Sequence, residues 1–139
     1  MLDEEMRFYY GAYGRPWNSE DARQISGIGL ATLPRDRFAG RRPTEKIGQI
    51  TLRQIDLGGV RRLLLNADAG KGSIRVEVLN AEGYRVRGFS RDDCLPIRGH
   101  SLRHPVRWRE RQLADLAPGE YRLRIHLQEA EIFAITLEP

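Results

Sequence analysis

The sequence has little of several features that define common classes of protein. It contains one cysteine, Cys94, which excludes an internal disulfide and any metal site built from several cysteines. No apolar run approaches the ~18 residues that a membrane-spanning helix needs. The acidic start Met1–Glu5 does not resemble a signal peptide, so we expect a cytosolic protein or a piece of a longer chain, and the localisation stays open.

Lysine is almost absent, and arginine supplies nearly all of the positive charge. Only Lys46 and Lys71 are lysines among 23 basic residues, and the formal net charge is +4. The arginines fall mostly at polar positions of alternating segments, and 19 acidic residues dilute them, which favours a solvated strand face. The alternative is an interaction module whose arginine-rich strand face binds an anionic partner, either an acidic polysaccharide or nucleic acid.

Long helical patterns are also missing, and alternation of apolar and polar residues takes their place. In the segment Ile74–Asn80, Ile74, Val76 and Val78 fall on one side of an extended chain, while Arg75 and Glu77 fall on the side that we expect to face water. A turn at residues 80–83 leads into a return strand at 84–87, which predicts a hairpin.

Further strands are predicted along most of the chain. The consecutive apolar residues Leu63–Leu65 indicate a strand covered on both faces, and the glycine-rich residues 68–72 indicate a tight connection to the next strand. Residues 121–128 show the cleanest alternation. We therefore predict an all-β protein with the fold of an antiparallel two-sheet β-sandwich, jelly-roll-like, over residues 25–139. Residues 1–24 form a separate aromatic strand and loop region.

Several short motifs occur in an order that matches a known pattern. They are Phe8–Gly11, Ile28–Thr32 leading into Arg35–Phe38, Gly48–Thr51, Leu63–Asn66, Gly72–Leu79, Gly88–Ser90 with Asp92–Cys94, Val106–Trp108, and Leu123–Ile125 before Ile132–Phe133. Together they resemble the C-terminal β-sandwich domain that follows the five-bladed propeller in bacterial glycoside hydrolases of the levanase/arabinanase superfamily.

This resemblance implies a function without catalysis by the chain itself. In such enzymes the catalytic carboxylates lie in the propeller and the sandwich is an accessory, and Phe8–Gly11 would correspond to the last propeller strand. The expected role is packing on a catalytic β-propeller domain, together with carbohydrate binding. Residues 1–24 would then be a remnant of the preceding domain, and neither a membrane nor nucleic acid is an expected partner.

The residues best suited to bind a sugar are exposed aromatic side chains that have polar groups beside them. Tyr10, Tyr13 and Trp17 lie in a region rich in glycine and proline, where core packing is least expected. Trp108 is a further candidate, although its alternation with Val106 favours a place in the core. Two arginines complete the candidate set, either as a fork for sugar hydroxyls or as partners of Asp36; they are Arg35 and Arg37.

Metal and catalytic sites have weaker support. Three loop aspartates are candidates for a calcium site, although the capping of turns is the favoured alternative; they are Asp68, Asp92 and Asp93. The three histidines, at positions 100, 104 and 126, do not have a spacing that is diagnostic for zinc. The acidic residues occupy turns or solvent-facing strand positions, so we expect no catalytic residues, no resident metal and no cofactor.

Overall fold

The computed structural model describes residues 4–13 and 26–139, and these form two compact units, Met1–Phe38 and Ala39–Pro139. The first unit contains strands β1, Glu5–Tyr13, and β2, Ser26–Pro34. The second contains one 3₁₀ turn and six strands: β3 Ile47–Thr51, β4 Ile55–Asp56, β5 Arg62–Asn80, β6 Ile97–Pro105, the 3₁₀ turn Leu113–Asp115, β7 Glu120–Gln128 and β8 Glu131–Glu138. Among the described residues, no helix is long and apolar enough to span a membrane.

All strand pairs are antiparallel, which confirms the predicted all-β class. In the second unit the strands follow the order β3-β7-β5-β6, with β4 pairing β7 and β8 pairing β5. Strands β7 and β8 lie one after the other along the same edge of β5, because β7 pairs residues 73–80 and β8 pairs residues 62–68. Strand β5 therefore forms the centre of the whole sheet.

The prediction that residues 68–72 form a tight connection between two strands is wrong, because these residues lie within β5, a single strand of 19 residues. Neither Gly70 nor Gly72 has a positive φ, so these glycines do not form a turn. They instead permit an irregularity in pairing between Ala69 and Ile74, and a Cβ at Gly72 would overlap the carbonyl oxygen of Gln128. Glycine is thus needed for close approach of two backbones.

The irregularity reverses which side chains of β5 face the core. Before it, the fully buried Leu63 and Leu65 belong to the core cluster, and after it the cluster continues with Val76 and Val78. Odd-numbered positions therefore point inward in the first half of the strand and even-numbered positions in the second. Both halves contribute to one core cluster, which is compatible with the packing of a β-sandwich.

Other predictions of packing are confirmed by the burial of individual residues. Leu63, Leu64 and Leu65 are all buried, as expected for a strand covered on both faces. Cys94 is buried as a small apolar residue, and its Sγ accepts a hydrogen bond from the backbone N–H of Val76 at 3.2 Å. Burial raises the pKa of this thiol.

Strand β2 pairs with β1 rather than with the sheet of the second unit. All nine residues of β2 are in register with β1, from Glu5 opposite Pro34 to Tyr13 opposite Ser26. The division between the units consequently falls after Phe38. The boundary that we expect between residues 24 and 25 lies outside the described residues and stays a prediction, while β2 forms a two-stranded sheet with β1.

Candidate functional site

The main candidate site is a groove that five arginines line, which we call the arginine groove. Its basic residues precede or begin β5, lie on β6, or follow β6; they are Arg61, Arg62, Arg103, Arg107 and Arg111. The groove has a volume of about 610 Å³, and its floor is formed by largely buried apolar side chains such as Leu64, Val106 and Leu113. Among the described residues that line it, none is acidic.

Pairing between β5 and β6 assembles this groove from distant parts of the sequence. Leu64 is opposite Pro105, and the N–H of Val106 donates to the carbonyl oxygen of Leu63 at 2.9 Å. This register brings the arginines that precede and begin β5 beside those that end and follow β6. The backbones that carry the cationic side chains are therefore held by sheet hydrogen bonds.

One carboxylate stands beside the groove and organises two of its arginines. Glu138 forms ion pairs with both Arg62 and Arg103. The hydrogen bond from Arg103, with the charges of both arginines, holds the pKa of Glu138 below its usual range despite partial desolvation. The carboxylate therefore stays ionised and fixes the two guanidinium groups in place.

The stem of Arg111 is positioned by a glycine. A Cβ at Gly88 would lie 2.7 Å from Cγ of Arg111, and Gly88 adopts a φ of +83°, which favours glycine. The side chain of Arg111 therefore packs against bare backbone at this point.

A second cluster of charges surrounds Glu77, whose side chain is 0% exposed. Arg124, its cross-strand neighbour, donates from Nη1 to Glu77 Oε1 at 3.1 Å. His126 Nε2 lies 3.2 Å from the same oxygen, and Arg85 Nε lies 3.3 Å from Oε2. Two basic side chains from β7 and one from the segment that follows β5 thus converge on one buried carboxylate.

The expectation that Glu77 faces water is wrong, and its ionisation depends on these neighbours. Burial alone raises the pKa of a carboxyl group, but hydrogen bonds from His126 and Arg124 and the charges of His126 and Arg85 outweigh it and lower the pKa of Glu77. The group is therefore a buried carboxylate anion. A general acid would need a raised pKa, so the downward shift fits an ion-paired carboxylate better than a proton donor.

A smaller groove of about 380 Å³ lies next to this cluster, and its arginines already have partners. Arg75 donates to the carbonyl oxygen of Arg91 at 3.4 Å, and Arg98 donates to that of Gly72 at 3.2 Å. Arg91 pairs with Asp92 at 3.3 Å. The arginine side chains of this smaller groove therefore bind groups of the protein itself, whereas several arginine side chains of the arginine groove do not.

The predicted sugar-binding residues are divided between the two units, and each is described in its own unit. Tyr10 is on β1, with its ring over Gly29 on β2, and it is about half exposed. Arg35 Nε lies 3.7 Å from Asp36 Oδ2, and both side chains are exposed. Arg37 follows in the same turn. Trp17 and the side chain of Tyr13 lie outside the described residues.

Trp108 belongs to the core, as its alternation with Val106 suggested, and its place as a sugar ligand is not supported. Its side chain is buried, its Nε1 donates to the carbonyl oxygen of Val76 at 3.0 Å, and its ring packs edge-on against Phe89. A ring with both a polar partner and an aromatic neighbour inside the core has no face available for a sugar.

The calcium candidates interact with the protein's own groups, Asp68 within strand β5 and Asp92 and Asp93 in a turn. Asp68 Oδ1 accepts from the N–H of Gly70 at 3.0 Å, and Asp93 accepts from both the N–H and the hydroxyl of Ser90. These bonds lower the pKa of Asp93, and Asp92 pairs with Arg91. Within residues 4–13 and 26–139, no three His, Cys, Asp or Glu side chains are grouped to hold a metal ion.

Comparison with known proteins adds no assignment. No family model matches the chain, and neither the curated proteins nor the solved structures contain a significant match. Functional inference therefore rests on the residues and surfaces described above.

Proposed function

We propose that this chain is a non-catalytic β-sandwich accessory module of a carbohydrate-active enzyme, which packs on a catalytic propeller through the β1–β2 ribbon. The parent enzyme would be a glycoside hydrolase of the five-bladed-propeller type that the sequence motifs resemble, and the sandwich would be jelly-roll-like. Carbohydrate contact through the exposed ring of Tyr10 is the second part of the proposal.

The observation that carries this proposal is that the β1–β2 ribbon has exposed apolar side chains on both faces. Tyr9, Ile28 and Leu30 share one face, and they are 69%, 83% and 51% exposed. Phe8 and Tyr10 lie on the opposite face, where Phe8 packs edge-on against Phe38. A two-stranded ribbon is marginally stable by itself, and strands that are apolar on both faces are normally covered on both.

The energy available from covering this surface supports docking. Complete burial of a large aliphatic or aromatic side chain contributes about 1.5–3 kcal/mol. Scaled by the exposed fraction of each side chain, the three residues of the open face would contribute roughly 3–6 kcal/mol, before the costs of association are subtracted. Attachment in the same polypeptide lowers those costs, because the two surfaces are held at high effective concentration.

The ionisation of the carboxylates supports a role without catalysis. Hydrolysis of a glycosidic bond needs a general acid whose pKa is raised, together with a second carboxylate. Three carboxylates of the described residues have a clearly shifted pKa, and in each the shift is downward; they are Glu77, Asp93 and Glu138. Each of these shifts arises with an ion pair or a hydrogen bond inside the domain.

Site-specific photo-crosslinking in the native full-length protein tests the docking. A photoreactive phenylalanine analogue replaces Tyr9 in one variant and Tyr84 in a control, because both side chains are strongly exposed but lie in different units. We expect the native polypeptide to be larger than 16.0 kDa, and crosslinks from position 9, but not from position 84, to residues upstream of Met1.

Two results would contradict the proposal. One is a native polypeptide of 16.0 kDa without a preceding domain, and the other is equal crosslinking from positions 9 and 84. Release of reducing sugar from a polysaccharide by this chain alone would contradict the non-catalytic role.

A further inference from the structure

Three guanidinium groups of the arginine groove have no ion pair with any described residue. They are those of Arg61, Arg107 and Arg111, whereas Arg62 and Arg103 share Glu138. Arginines elsewhere in the second unit, such as Arg85 and Arg124, bind carboxylates of the protein. The groove therefore concentrates positive charge that the fold does not neutralise.

The groove also has the form of a binding site for a small ligand segment. Its volume of about 610 Å³ lies within the usual range of ligand sites, about 300–1,000 Å³. Sheet hydrogen bonds hold the backbone of its walls, Glu138 fixes two guanidinium groups, and Gly88 positions the stem of Arg111. Planar guanidinium groups bind carboxylate and sulfate oxygens through two parallel hydrogen bonds.

We propose that the arginine groove binds an acidic glycan, whose carboxylate or sulfate groups are held by Arg61, Arg107 and Arg111. This inference goes beyond the proposed function, because it concerns a different surface and needs no docking to another domain.

The composition of the groove favours a glycan over single-stranded nucleic acid. Proteins that bind single strands stack the bases on exposed aromatic rings beside the basic residues. The aromatic residue that lines this groove in the described structure is Trp108, which is 5% exposed and is engaged with Val76 and Phe89 in the core. The described groove thus offers cations without a platform for stacking bases.

Calorimetric titration of the isolated chain at low ionic strength tests this site. The probes are oligogalacturonate for carboxylates, dextran sulfate for sulfates, neutral dextran, and single-stranded DNA. The variant Arg107→Gln/Arg111→Gln removes two unpaired charges from the groove. Arg42→Gln/Arg53→Gln is its matched control, because both residues are exposed, lie outside the groove and make no ion pair with a described residue.

We expect at least one acidic glycan to bind and neutral dextran not to bind. The groove variant should lose about tenfold in affinity, the control variant less than twofold, and binding should weaken as salt is added. Arg107→Lys/Arg111→Lys should recover part of the affinity, because it restores charge without the planar fork. The relative affinities of the two acidic probes identify the anionic group.

Three results would overturn the assignment. They are an absence of binding to both acidic glycans, equal losses in the groove and control variants, and tighter binding of DNA than of either glycan. Circular dichroism excludes misfolding as the cause, since substitutions of exposed arginines without partners change stability by less than about 0.5 kcal/mol. The result is separable from the docking experiment, because the titration uses the chain alone.

Discussion

Removal of the buried charge of Glu77 should destabilise the domain more than removal of any exposed carboxylate. The substitution Glu77→Gln keeps the size of the side chain but removes the anion that Arg85, Arg124 and His126 surround. Hydrogen bonds to a charged group contribute about 1.5–3 kcal/mol each, and breaking a buried ion pair costs about 3–5 kcal/mol.

The expected loss lies at the lower end of these values. Gln retains an amide oxygen that accepts a hydrogen bond from Arg124, and the side chain of Arg85 is 71% exposed, so it regains hydration. We therefore expect the free energy of unfolding at pH 7 to fall by about 2–3 kcal/mol. The measurement is urea unfolding followed by circular dichroism, with Glu82→Gln as the control, since Glu82 lies exposed in a turn.

The pH dependence gives an independent test of the same cluster. Because the pKa of Glu77 is lower in the folded state than in the unfolded chain, its contribution to stability is present above the unfolded pKa, about 4.3. The contribution is lost as the pH falls through the folded pKa. The stability difference between wild type and Glu77→Gln should therefore be largest at neutral pH and shrink below about pH 4.

The reasoning would be refuted by a loss below about 0.5 kcal/mol at pH 7, which is the size expected for Glu82→Gln. A difference between wild type and Glu77→Gln that does not change with pH would also refute it. Asp93 and Glu138 have lowered pKa values as well, but they are present in both proteins and cancel in the comparison.

Two further predictions concern the core. Gly72→Ala should lower the free energy of unfolding by about 2–3 kcal/mol, because the added Cβ would overlap the backbone of Gln128. In the control, Gly27→Ala, the added Cβ meets no atom within 4 Å, so the free energy of unfolding should change by less than about 0.5 kcal/mol. Equal effects of the two substitutions in urea unfolding would contradict this prediction. Cys94 should react with a disulfide reagent at least about 100-fold more slowly in the native chain than in urea, because the thiol is buried and burial raises its pKa. A fast reaction in the native chain would show that the reagent reaches the thiol without unfolding, which contradicts the burial of Cys94.

The strands were predictable because their alternation is a local property of the chain. Leu123, Ile125 and Leu127 are buried where alternation predicts an inward face. The same reasoning failed at Glu77, because alternation distinguishes two faces of a strand without showing what covers each face. Long basic side chains from neighbouring elements, including Arg85 and Arg124, cover the face that seemed open to water.

The arginine groove was not predictable from the sequence for a different reason. Arg61 and Arg107 are far apart in the chain, and their proximity depends on the register between β5 and β6. Register depends on how the apolar faces of both strands match and on irregularities such as the one between Leu65 and Ala67, so the pattern of one segment does not determine it. The excess of arginine in the sequence indicated that an anionic partner is possible, but it did not indicate which arginines come together in the fold.

The central position of β5 has a consequence for synthesis in the cell. Its first half pairs with β8 and its second half with β7, so a chain that is still emerging from the ribosome carries 19 residues of β5 before either partner exists. Until β7 and β8 are synthesised, the edge of β5 that they pair with is uncovered, and so are the apolar side chains near it, Leu63, Leu65, Val76 and Val78. The nascent segment is then a target for chaperones or for aggregation. Slower translation of residues 81–119 should therefore reduce the yield of soluble protein.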